Sequence, residues 1–309
     1  MNLFKYAYKA ARVLLPRDFR VRLFTEFVGW RYASMPDDEY LKRMYRLRMG
    51  RDLDLDNPQT FTEKLQWLKL YDRRSEYTLM ADKYAVKKIV ADKIGSEYVI
   101  TLLGVWDNPD DIDFSALPEQ FVMKCNHDSG LSLSICRDKS HFDFKNAKLR
   151  ARRAMKKNNY LHSREWPYKN IKPLVIAEEY MQDSSSPNLT VYKFFTFNGE
   201  PKIIQVIQDD KTSYESIDYF DTDWKRLDLR QNYPNSKTPL SRPECLSEML
   251  ELAAKLSAGI PHVRVDLYQV NGRVYFSEYT FFSDAGMVGF QPPEWDEILG
   301  SWLTLPAKH

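Results

Sequence analysis

Apolar and polar residues alternate near the end of the chain in a way that is typical of an antiparallel hairpin. Every second residue of the first run is apolar, namely Val263, Val265 and Leu267. Asn271-Gly272 is a strong turn dipeptide, and the extended run that resumes after it ends at Glu278. The pattern therefore predicts two strands joined by this turn, with Asp266 and Glu278 side by side and on the same side of the alternation.

The first hundred residues follow a helical pattern instead. Residues 1–50 are amphipathic and basic, and Gly50 is the predicted end of this helical segment. Thr60, with Glu63 three positions later, forms a capping-box pattern and predicts the start of the next helix. A further helix is predicted over residues 81–95, where several lysines fall on the polar side and are expected to be solvated.

The pattern changes from helix to strand at Tyr98. Four strands are predicted over residues 98–106, 121–124, 129–138 and 174–182. Residues 143–160 between them are predicted to form a very basic helix. A hairpin with Asn198-Gly199 at its turn follows, then an acidic-aromatic loop and a helix over residues 243–258. Hairpins imply antiparallel pairing, so we predict an α+β fold with mostly antiparallel sheets and helices packed on them.

Composition bounds the size and class of the protein. At 309 residues, 43% hydrophobic and 14% aromatic, the chain is large enough for two or three subdomains that share one cleft. Its 45 basic and 43 acidic residues leave a formal net charge of +2, which argues against a dedicated nucleic-acid-binding protein. The three cysteines lack metal-ligand spacing, and their odd number suits a reducing compartment, so a cytoplasmic location is predicted.

The N-terminal segment is amphipathic but not continuously apolar. Charged residues interrupt it at Lys5, Lys9 and Arg12. It is therefore not expected to span a membrane or to be a cleaved signal. Packing on the protein's own body is the expected role of such a helix, and peripheral contact with the inner face of the membrane is the alternative.

The acids of the predicted hairpin indicate a metal and phosphate site. Asp266 and Glu278 could converge on one hard cation such as Mg²⁺, which takes oxygen ligands and keeps the phosphates of its substrate. Arg264 points to the same face as Asp266 and could hold phosphate oxygens bidentately. The alternative interpretation is that both acids are solvated strand-end residues.

A lysine at the end of an earlier strand is a second candidate phosphate ligand. Lys124 closes an apolar strand and is followed by a polar loop containing Asp128, Ser129 and Gly130, which could close over phosphates. With one glycine the loop is not a recognisable phosphate-binding motif. The alternative for Lys124 is an edge-strand lysine that discourages aggregation.

Two further segments could contribute to a nucleotide site. An apolar strand breaks into acids at its end and could offer backbone groups to an adenine edge; its last residues are Glu178, Glu179, Tyr180 and Met181. Lys193 lies opposite its neighbours in a strand, either on a solvent face or in a cleft. Pattern alone does not decide between these two positions.

In this order the segments resemble the ATP-grasp superfamily, and more closely the TupA-like ATP-grasp proteins of surface-polysaccharide gene clusters. The segments that carry the resemblance are FTEKLQWLKLYD, ADKYAVKKIV, LPEQFVMKCNHDSG, VYKFFTFNGEPKIIQV and RVDLYQVNGRVYFSEYTFFSDAG. The resemblance covers roughly residues 50–300. It implies an ATP-grasp fold that holds ATP in a cleft between two subdomains. It also implies four segments. They are an N-terminal helical segment (residues 1–50), a helical pre-grasp subdomain (51–117), a small subdomain with phosphate loop and hinge (118–182) and a large subdomain with the metal site (183–309).

The resemblance also implies a role for each candidate. Lys83 and Lys124 would contact the ATP phosphates, assisted by the loop at residues 128–130 and by Lys193. The segment from Glu178 to Met181 would form the adenine hinge, and Mg²⁺ would bind the two hairpin acids. Lys124 and Arg264 would be the catalytic cations. The chain departs from the superfamily by having Thr280, a weaker candidate metal ligand, where most members have asparagine, and by a loop poorer in glycine.

The implied reaction is ATP-dependent joining of a carboxylate and an amine through an acyl phosphate. The expected substrates are an amine or amino acid and a uronic-acid-type sugar, supplied by an acidic glycan or a lipid-linked precursor that the basic helix around residues 150–157 could attract. A glycan kinase would use the same nucleotide site without an amine. A glycosyltransferase is the third possibility, but Asp221-Thr222-Asp223 reads as a turn and not as a metal-binding triplet.

Overall fold

The computed structural model describes residues 31–184, 189–208 and 216–308. The predicted N-terminal amphipathic helix lies outside these residues except for its last part. The described residues form eight α-helices: α1 Asp37–Met49, α2 Phe61–Tyr71, α3 Glu76–Ala81, α4 Val86–Ile94, α5 Phe144–Met155, α6 Tyr160–Ser163, α7 Leu246–Ser257 and α8 Glu294–Trp302. In the part of the chain that is described, no helix has both the length and the apolar character needed to cross a bilayer.

Nine strands form two antiparallel sheets in the described residues. Their bounds are β1 Leu102–Trp106, β2 Phe121–Cys125, β3 Ser134–Cys136, β4 Val175–Glu179, β5 Val191–Phe197, β6 Glu200–Gln208, β7 Ser216–Phe220, β8 His262–Val270 and β9 Arg273–Thr280. The small sheet has the order β1-β4-β2-β3, and the large sheet has the order β7-β6-β5-β8-β9. The prediction of mostly antiparallel sheets is confirmed.

Each sheet has a hydrophobic core of its own. The small sheet packs its buried side chains against the alanine face of α5, formed by Ala147, Ala151 and Ala154. The large sheet contributes to a bigger core that also includes α1, α2 and α7. One face of the large sheet lies on α7, where the Tyr279 hydroxyl donates to the carbonyl of Leu256 at 3.1 Å. Two separate cores leave a cleft between the sheets, lined by polar side chains.

The structure confirms several predictions made from local sequence patterns. Thr60 caps α2. The Glu63 carboxylate in turn accepts a hydrogen bond from the main-chain N–H of Thr60, which completes the capping box. Gly50 ends α1 with a left-handed φ of 74°. In the β8–β9 hairpin, Asn271 and Gly272 have φ values of 49° and 74°, and this pair of positive angles matches the right-handed twist of the strands.

The helix predicted over residues 81–95 begins only at Val86, as α4, because residues 82–85 form a turn after the end of α3. Asp82 stabilises this turn, since its Oδ1 accepts the main-chain N–H groups of Tyr84 at 2.8 Å and Ala85 at 3.3 Å. Lys83 therefore lies in a turn and not on the polar side of a helix.

The acidic-aromatic loop predicted after the hairpin with Asn198-Gly199 at its turn contains strand β7. This strand pairs with β6 at the edge of the large sheet. All five of its residues are buried, including the polar Ser216 and Asp218. Because neither face is exposed, the strand lacks the clear alternation of apolar and polar residues by which sequence patterns reveal strands.

The division into subdomains stays a prediction, but one strand crosses its boundaries. β1 falls in the segment assigned to residues 51–117, yet it pairs with β4 in the small sheet. The helices α2, α3 and α4 of the same segment contribute to the larger core. The small sheet therefore takes strands from two of the predicted segments.

Candidate active site

The hairpin places its two acids directly opposite each other. Asp266 pairs with Glu278, whereas the next residue, Leu267, pairs with Phe276, so Ser277 is the extra residue of a β-bulge. Strict alternation would put Glu278 on the same face as Phe276, which is buried in the core. The bulge turns Glu278 to the face that carries Asp266.

The acids belong to a row of polar residues that crosses the large sheet on its cleft face. In register order the row is Tyr219, Gln205, Lys193, Asp266 and Glu278. The neighbouring row on the other face is apolar and buried, and includes Phe194 and Val265. Lys193 is thus in the cleft, which answers the question that its sequence pattern left open.

Asp266 is almost fully buried, at 1% exposure, and two cations hold it. Arg264 donates from Nε to Oδ1 and from Nη2 to Oδ2, both at 2.7 Å. Lys193 Nζ lies 3.2 Å from Oδ2. The bidentate contact orients the guanidinium in its plane. Burial acts to lower the pKa of Arg264, but Asp266 and then Glu278 more than offset it and the pKa is raised.

Glu278 is held from the opposite side of the cleft. Lys83 Nζ lies 3.0 Å from Glu278 Oε2, and the main-chain N–H of Lys83 donates to Asn126 O at 3.0 Å at the end of β2. Burial acts to raise the pKa of Glu278, but Lys83, Lys193 and Arg264 together lower it to about 2. Lys83 thus connects the acid hairpin with the loop that follows β2.

The turn after β9 supports Arg264 and is itself clamped by α2. Arg264 donates to Thr280 Oγ1 at 2.9 Å and to Ser283 Oγ at 3.1 Å. In the same turn Ala285 has a φ of 57°, a left-handed conformation that is costly for a residue with a side chain. Lys69 from α2 donates to Ala285 O at 2.7 Å, and Gln66 donates to the same oxygen at 3.2 Å. No sequence pattern predicted this clamp.

The loop after β2 is shaped by Asp128. Its carboxylate accepts the main-chain N–H groups of Leu131 at 3.0 Å and Ser132 at 2.5 Å, and it is buried. Ser129 is exposed and Gly130 is half-buried, with a φ of 103° that few other residues adopt. Asp128 therefore holds the loop in shape, while Ser129 and Gly130 are the residues at its tip.

Helix α5 is tied to the same loop. Arg150 Nη2 donates to Leu131 O at 3.2 Å. The buried His127 places Nε2 3.2 Å from Ala154 O, and burial lowers the pKa of its imidazole. The basic helix therefore contacts the loop directly, and His127 has a structural hydrogen bond.

On the small sheet, Glu178 lies between two lysines. Lys124 Nζ is 2.5 Å from Oε2 and Lys87 Nζ is 2.7 Å from Oε1. Burial acts to raise the pKa of Glu178, but the two lysines outweigh it and the pKa is lowered. The helical pattern predicts that Lys87 is solvated. In the structure, however, this lysine faces the small sheet and not the solvent.

The remaining residues of the predicted hinge follow Glu178 at the end of β4. Glu179 is exposed, and its main-chain N–H donates to Thr101 O at 3.0 Å. Tyr180 and Met181 are half-buried, and the Arg137 guanidinium lies 6.0 Å from the Tyr180 ring centre. Residues 179–181 therefore begin where β4 pairs with Phe121 of β2, and Gln182 O, next along the chain, accepts from Asn271 Nδ2 in the β8–β9 turn at 3.1 Å.

Tyr168 is a cleft residue that sequence reasoning missed. Burial raises the pKa of its phenol, and its charged neighbours are Lys83, Glu165, Glu278 and Arg264. Tyr168 lies in the connection between α6 and β4, far in sequence from each of these except Glu165. No short-range pattern links it to them.

The donor set of the hairpin fits a hard divalent cation. Asp266 and Glu278 offer carboxylate oxygens on adjacent strands, and Thr280 adds a hydroxyl on the same face. Among the described residues, no group of three or more His, Cys, Asp or Glu side chains could hold a metal ion. A Mg²⁺ ion at this pair would therefore complete its shell with phosphate oxygens and water, as this ion commonly does.

The Asp221-Thr222-Asp223 segment has a structural role of its own. Asp221 Oδ1 accepts the main-chain N–H groups of Asp223 at 3.0 Å and Lys225 at 2.8 Å. Trp224 stacks on Phe220 with a centroid distance of 4.2 Å. The segment forms a turn with a tryptophan behind it, as predicted.

Comparison with known proteins identifies one family. The TupA-like ATP-grasp family model matches residues 63–304, which is most of the chain. A search of curated proteins found no match.

Several solved structures show a partial similarity to this chain. D-alanine–D-alanine ligase from Bacillus anthracis complexed with ATP has 14% identity and a TM-score of 0.39, over 66% of this chain and 54% of that one. The Helicobacter pylori D-alanine–D-alanine ligase has 17% identity and a TM-score of 0.41, over 79% and 69%. D-cycloserine synthetase has 16% identity and a TM-score of 0.39, over 66% and 62%. The chain thus spans little more than half the length of the first of these structures.

Proposed function

Because this chain belongs to the TupA-like ATP-grasp family of enzymes, we propose that it is an ATP-dependent carboxylate–amine ligase that works through an acyl phosphate. Its two antiparallel sheets form the ATP-grasp fold. The observation that carries the proposal is the pairing of Asp266 with Glu278 on the cleft face of the large sheet, surrounded by the cations Lys83, Lys193 and Arg264. Such a site positions and neutralises phosphates without a nucleophilic residue.

In the proposed reaction a carboxylate oxygen of the acceptor attacks the γ-phosphorus of ATP, and ADP leaves. The amine nitrogen then attacks the acyl carbon, loses a proton and displaces phosphate, which forms the amide. Mg²⁺ held by Asp266 and Glu278 would neutralise negative charge on the phosphates when bound. Arg264, fixed by Asp266, holds the transferred phosphoryl group, and Lys83 and Lys124 hold the remaining phosphates.

The hinge at the end of β4 is the proposed adenine site. Glu179, Tyr180 and Met181 lie between the small sheet and the β8–β9 turn, so a nucleotide with its base there would extend its phosphates toward the acid hairpin. The exposed tip of the loop after β2, at Ser129 and Gly130, can approach those phosphates with main-chain N–H groups.

The acceptor is proposed to be an acidic sugar of a surface polysaccharide or its lipid-linked precursor. A cavity of about 460 Å³, large enough for a small ligand, has polar and aromatic residues in its wall: Arg230, Gln231, Asn232, Tyr233 and Gln291. It adjoins the polar row, because Gln231 Oε1 accepts from the Tyr219 hydroxyl at 3.2 Å. Amide groups and a guanidinium suit sugar hydroxyls and a carboxylate.

Two basic segments of the sequence support an acidic substrate. The outer face of α5 and the residues after it carry seven cations, namely Lys145, Lys148, Arg150, Arg152, Arg153, Lys156 and Lys157, and positive potential attracts acidic polymers. The basic N-terminal segment is the proposed peripheral membrane contact of a cytoplasmic enzyme. Deletion of residues 1–24 tests the second point, since unchanged membrane association and activity would refute it.

Nucleotide binding measured by calorimetry tests the proposed function. ATP, ADP and a set of UDP-sugars are titrated with and without Mg²⁺ into the wild type and Asp266→Asn. The expected result is Mg²⁺-dependent ATP binding that Asp266→Asn weakens, with no binding of UDP-sugars. Binding of a UDP-sugar without affinity for ATP would overturn the ligase proposal in favour of glycosyl transfer. Formation of ADP and a stable phosphorylated glycan without an amine would indicate a kinase.

A further inference from the structure

The carboxylate of Glu178 is shared by two lysines and is nearly excluded from solvent. Its side chain is 6% exposed, and each oxygen faces one ammonium, Lys87 at 2.7 Å and Lys124 at 2.5 Å. A buried carboxylate that loses its charged partners is strongly destabilised. With a single lysine as counter-ion, Glu178 would therefore hold that lysine strongly.

The two lysines are anchored differently. Lys87 Nζ also donates to Ile100 O at 2.7 Å, which ties α4 to the segment before β1. Within the described part of the chain, the Lys124 ammonium forms no ion pair other than the one with Glu178. Lys124 is next to the loop that can approach phosphates, so Lys124 is free to turn away and Lys87 is not.

We propose that Lys87 is a positioning residue for nucleotide binding, because it keeps Glu178 neutralised when Lys124 moves from that carboxylate to the phosphates of ATP. This inference rests on the proposed function. Lys87 itself touches no phosphate. It lowers the free energy that ATP must supply to draw Lys124 away, and the side chain of Glu178 acts as a counter-ion and not as a reader of the adenine edge.

The test is calorimetric titration of Mg²⁺-ATP into Lys87→Met, Lys87→Arg and Lys88→Met. Lys88 is the matched control, since it is the next residue of α4 but is 81% exposed and pairs with Asp92 on the surface. We expect Lys87→Met to raise the Kd for ATP about tenfold, which corresponds to roughly 1.4 kcal/mol. Lys87→Arg, which keeps the charge, restores binding, and Lys88→Met leaves it unchanged.

A double-mutant cycle with Glu178→Gln separates the counter-ion role from a loss of structure. When Glu178 is neutral, Lys124 is no longer held, so adding Lys87→Met to Glu178→Gln changes the Kd less than twofold. If Lys87→Met does not fold, Lys87→Gln, which keeps a donor for Ile100 O, replaces it in the cycle.

Three outcomes overturn the inference. Wild-type affinity of Lys87→Met contradicts it while leaving the proposed function intact. Equal, additive losses from Lys87→Met and Glu178→Gln would show that the Glu178 side chain contacts the nucleotide. A wild-type protein that does not bind ATP refutes the proposed function and this inference with it.

Discussion

At the scale of single residues, the cleft is built from carboxylates that each contact more than one cation. Asp266 is shared by Arg264 and Lys193, and Glu178 by Lys87 and Lys124. Sharing leaves each carboxylate compensated when one cation moves to a phosphate. In this arrangement the positions of the cations depend more on the carboxylates than on any single lysine.

Asp266→Asn is predicted to lower turnover by a factor of roughly 10²–10³, because Arg264 loses its bidentate partner and the metal loses a charged ligand. Steady-state release of ADP with saturating substrates measures the effect. Asp223→Asn is the control, since Asp223 is exposed and lies in the turn at residues 221–223. Loss of activity in Asp223→Asn with full activity in Asp266→Asn would reverse the assignment of the metal site.

Glu278 is predicted to contribute stability that disappears in acid. Its pKa falls from 4.5 in an ordinary setting to about 2 in the folded protein, after the cations outweigh burial. A carboxyl group with a lowered folded pKa stabilises the protein above its unfolded pKa, and the contribution is lost as the pH falls toward the folded value.

Urea unfolding of the wild type and Glu278→Gln over the pH range 2.5–7 measures this contribution. The wild type should be the more stable protein above about pH 4.5, and the difference should shrink steadily below that pH. A difference that stays constant down to pH 2.5 would show that the ion pair with Lys83 does not control the pKa of Glu278.

The positions of single residues were predictable from the sequence only where they follow from strand position. Arg264, Asp266 and Glu278 lie at positions that the hairpin pattern brings together. Lys87 was not predictable, because helical spacing cannot distinguish a lysine that faces solvent from one that faces a neighbouring sheet.

At the scale of elements, the signals that predicted structure correctly are local. The capping box of α2 and the Asn-Gly turns depend on residues within four positions of each other. Neither the bulge at Ser277 nor the burial of β7 follows from such short-range signals, because each is set by how a strand pairs and packs in the folded sheet. The hairpin pattern therefore predicted that Glu278 faces Asp266, but not the bulge that makes this orientation compatible with a buried Phe276.

The turn Ser283–Gly286 is the element that joins the hairpin to α2, and Lys69→Met is predicted to loosen it. Lys69 donates to Ser163 O and Ala285 O from a fully buried position. Its loss removes the donor to Ser163 O and leaves Ala285 O with the longer 3.2 Å bond from Gln66. A buried polar group without its partner costs about 1–3 kcal/mol, and the left-handed conformation at Ala285 is held less firmly. Turnover should fall about tenfold, since Arg264 binds Ser283 in this turn.

Lys64→Met is the matched control for this prediction. Lys64 is also on α2. It donates to the main-chain carbonyls of Gly300 and Leu303, both 2.8 Å away, which lie at the C-terminal end of α8 and not in the turn Ser283–Gly286. Denaturant unfolding should show a loss of stability in both variants, with reduced turnover only in Lys69→Met. Equal turnover in the two variants would show that the turn does not position Arg264.

At the scale of the whole molecule, two cores are joined across a cleft, and Lys83 is one of the residues that contact both sides. Its main-chain N–H binds Asn126 at the end of β2, and its ammonium binds Glu278 on the large sheet. The order of the segments along the chain resembles that of a known family, and this resemblance predicted the two-part architecture. The sharing of β1 between predicted segments was not predictable, because antiparallel pairing of β1 with β4 joins residues about seventy positions apart.

Nucleotide binding across this cleft is predicted to stabilise the whole protein, and Lys83→Met is predicted to reduce that effect. A ligand that binds only the folded state at 100 times its Kd adds about 2.7 kcal/mol to the free energy of unfolding. Thermal unfolding with increasing Mg²⁺-ATP measures the gain in the wild type, in Lys83→Met and in the surface control Lys88→Met. Lys83→Met should need at least tenfold more ATP for the same shift, because it loses a phosphate contact and the link between the two sides. A shift in Lys83→Met that matches the control at every ATP concentration would mean that the two sides of the cleft hold the nucleotide without Lys83.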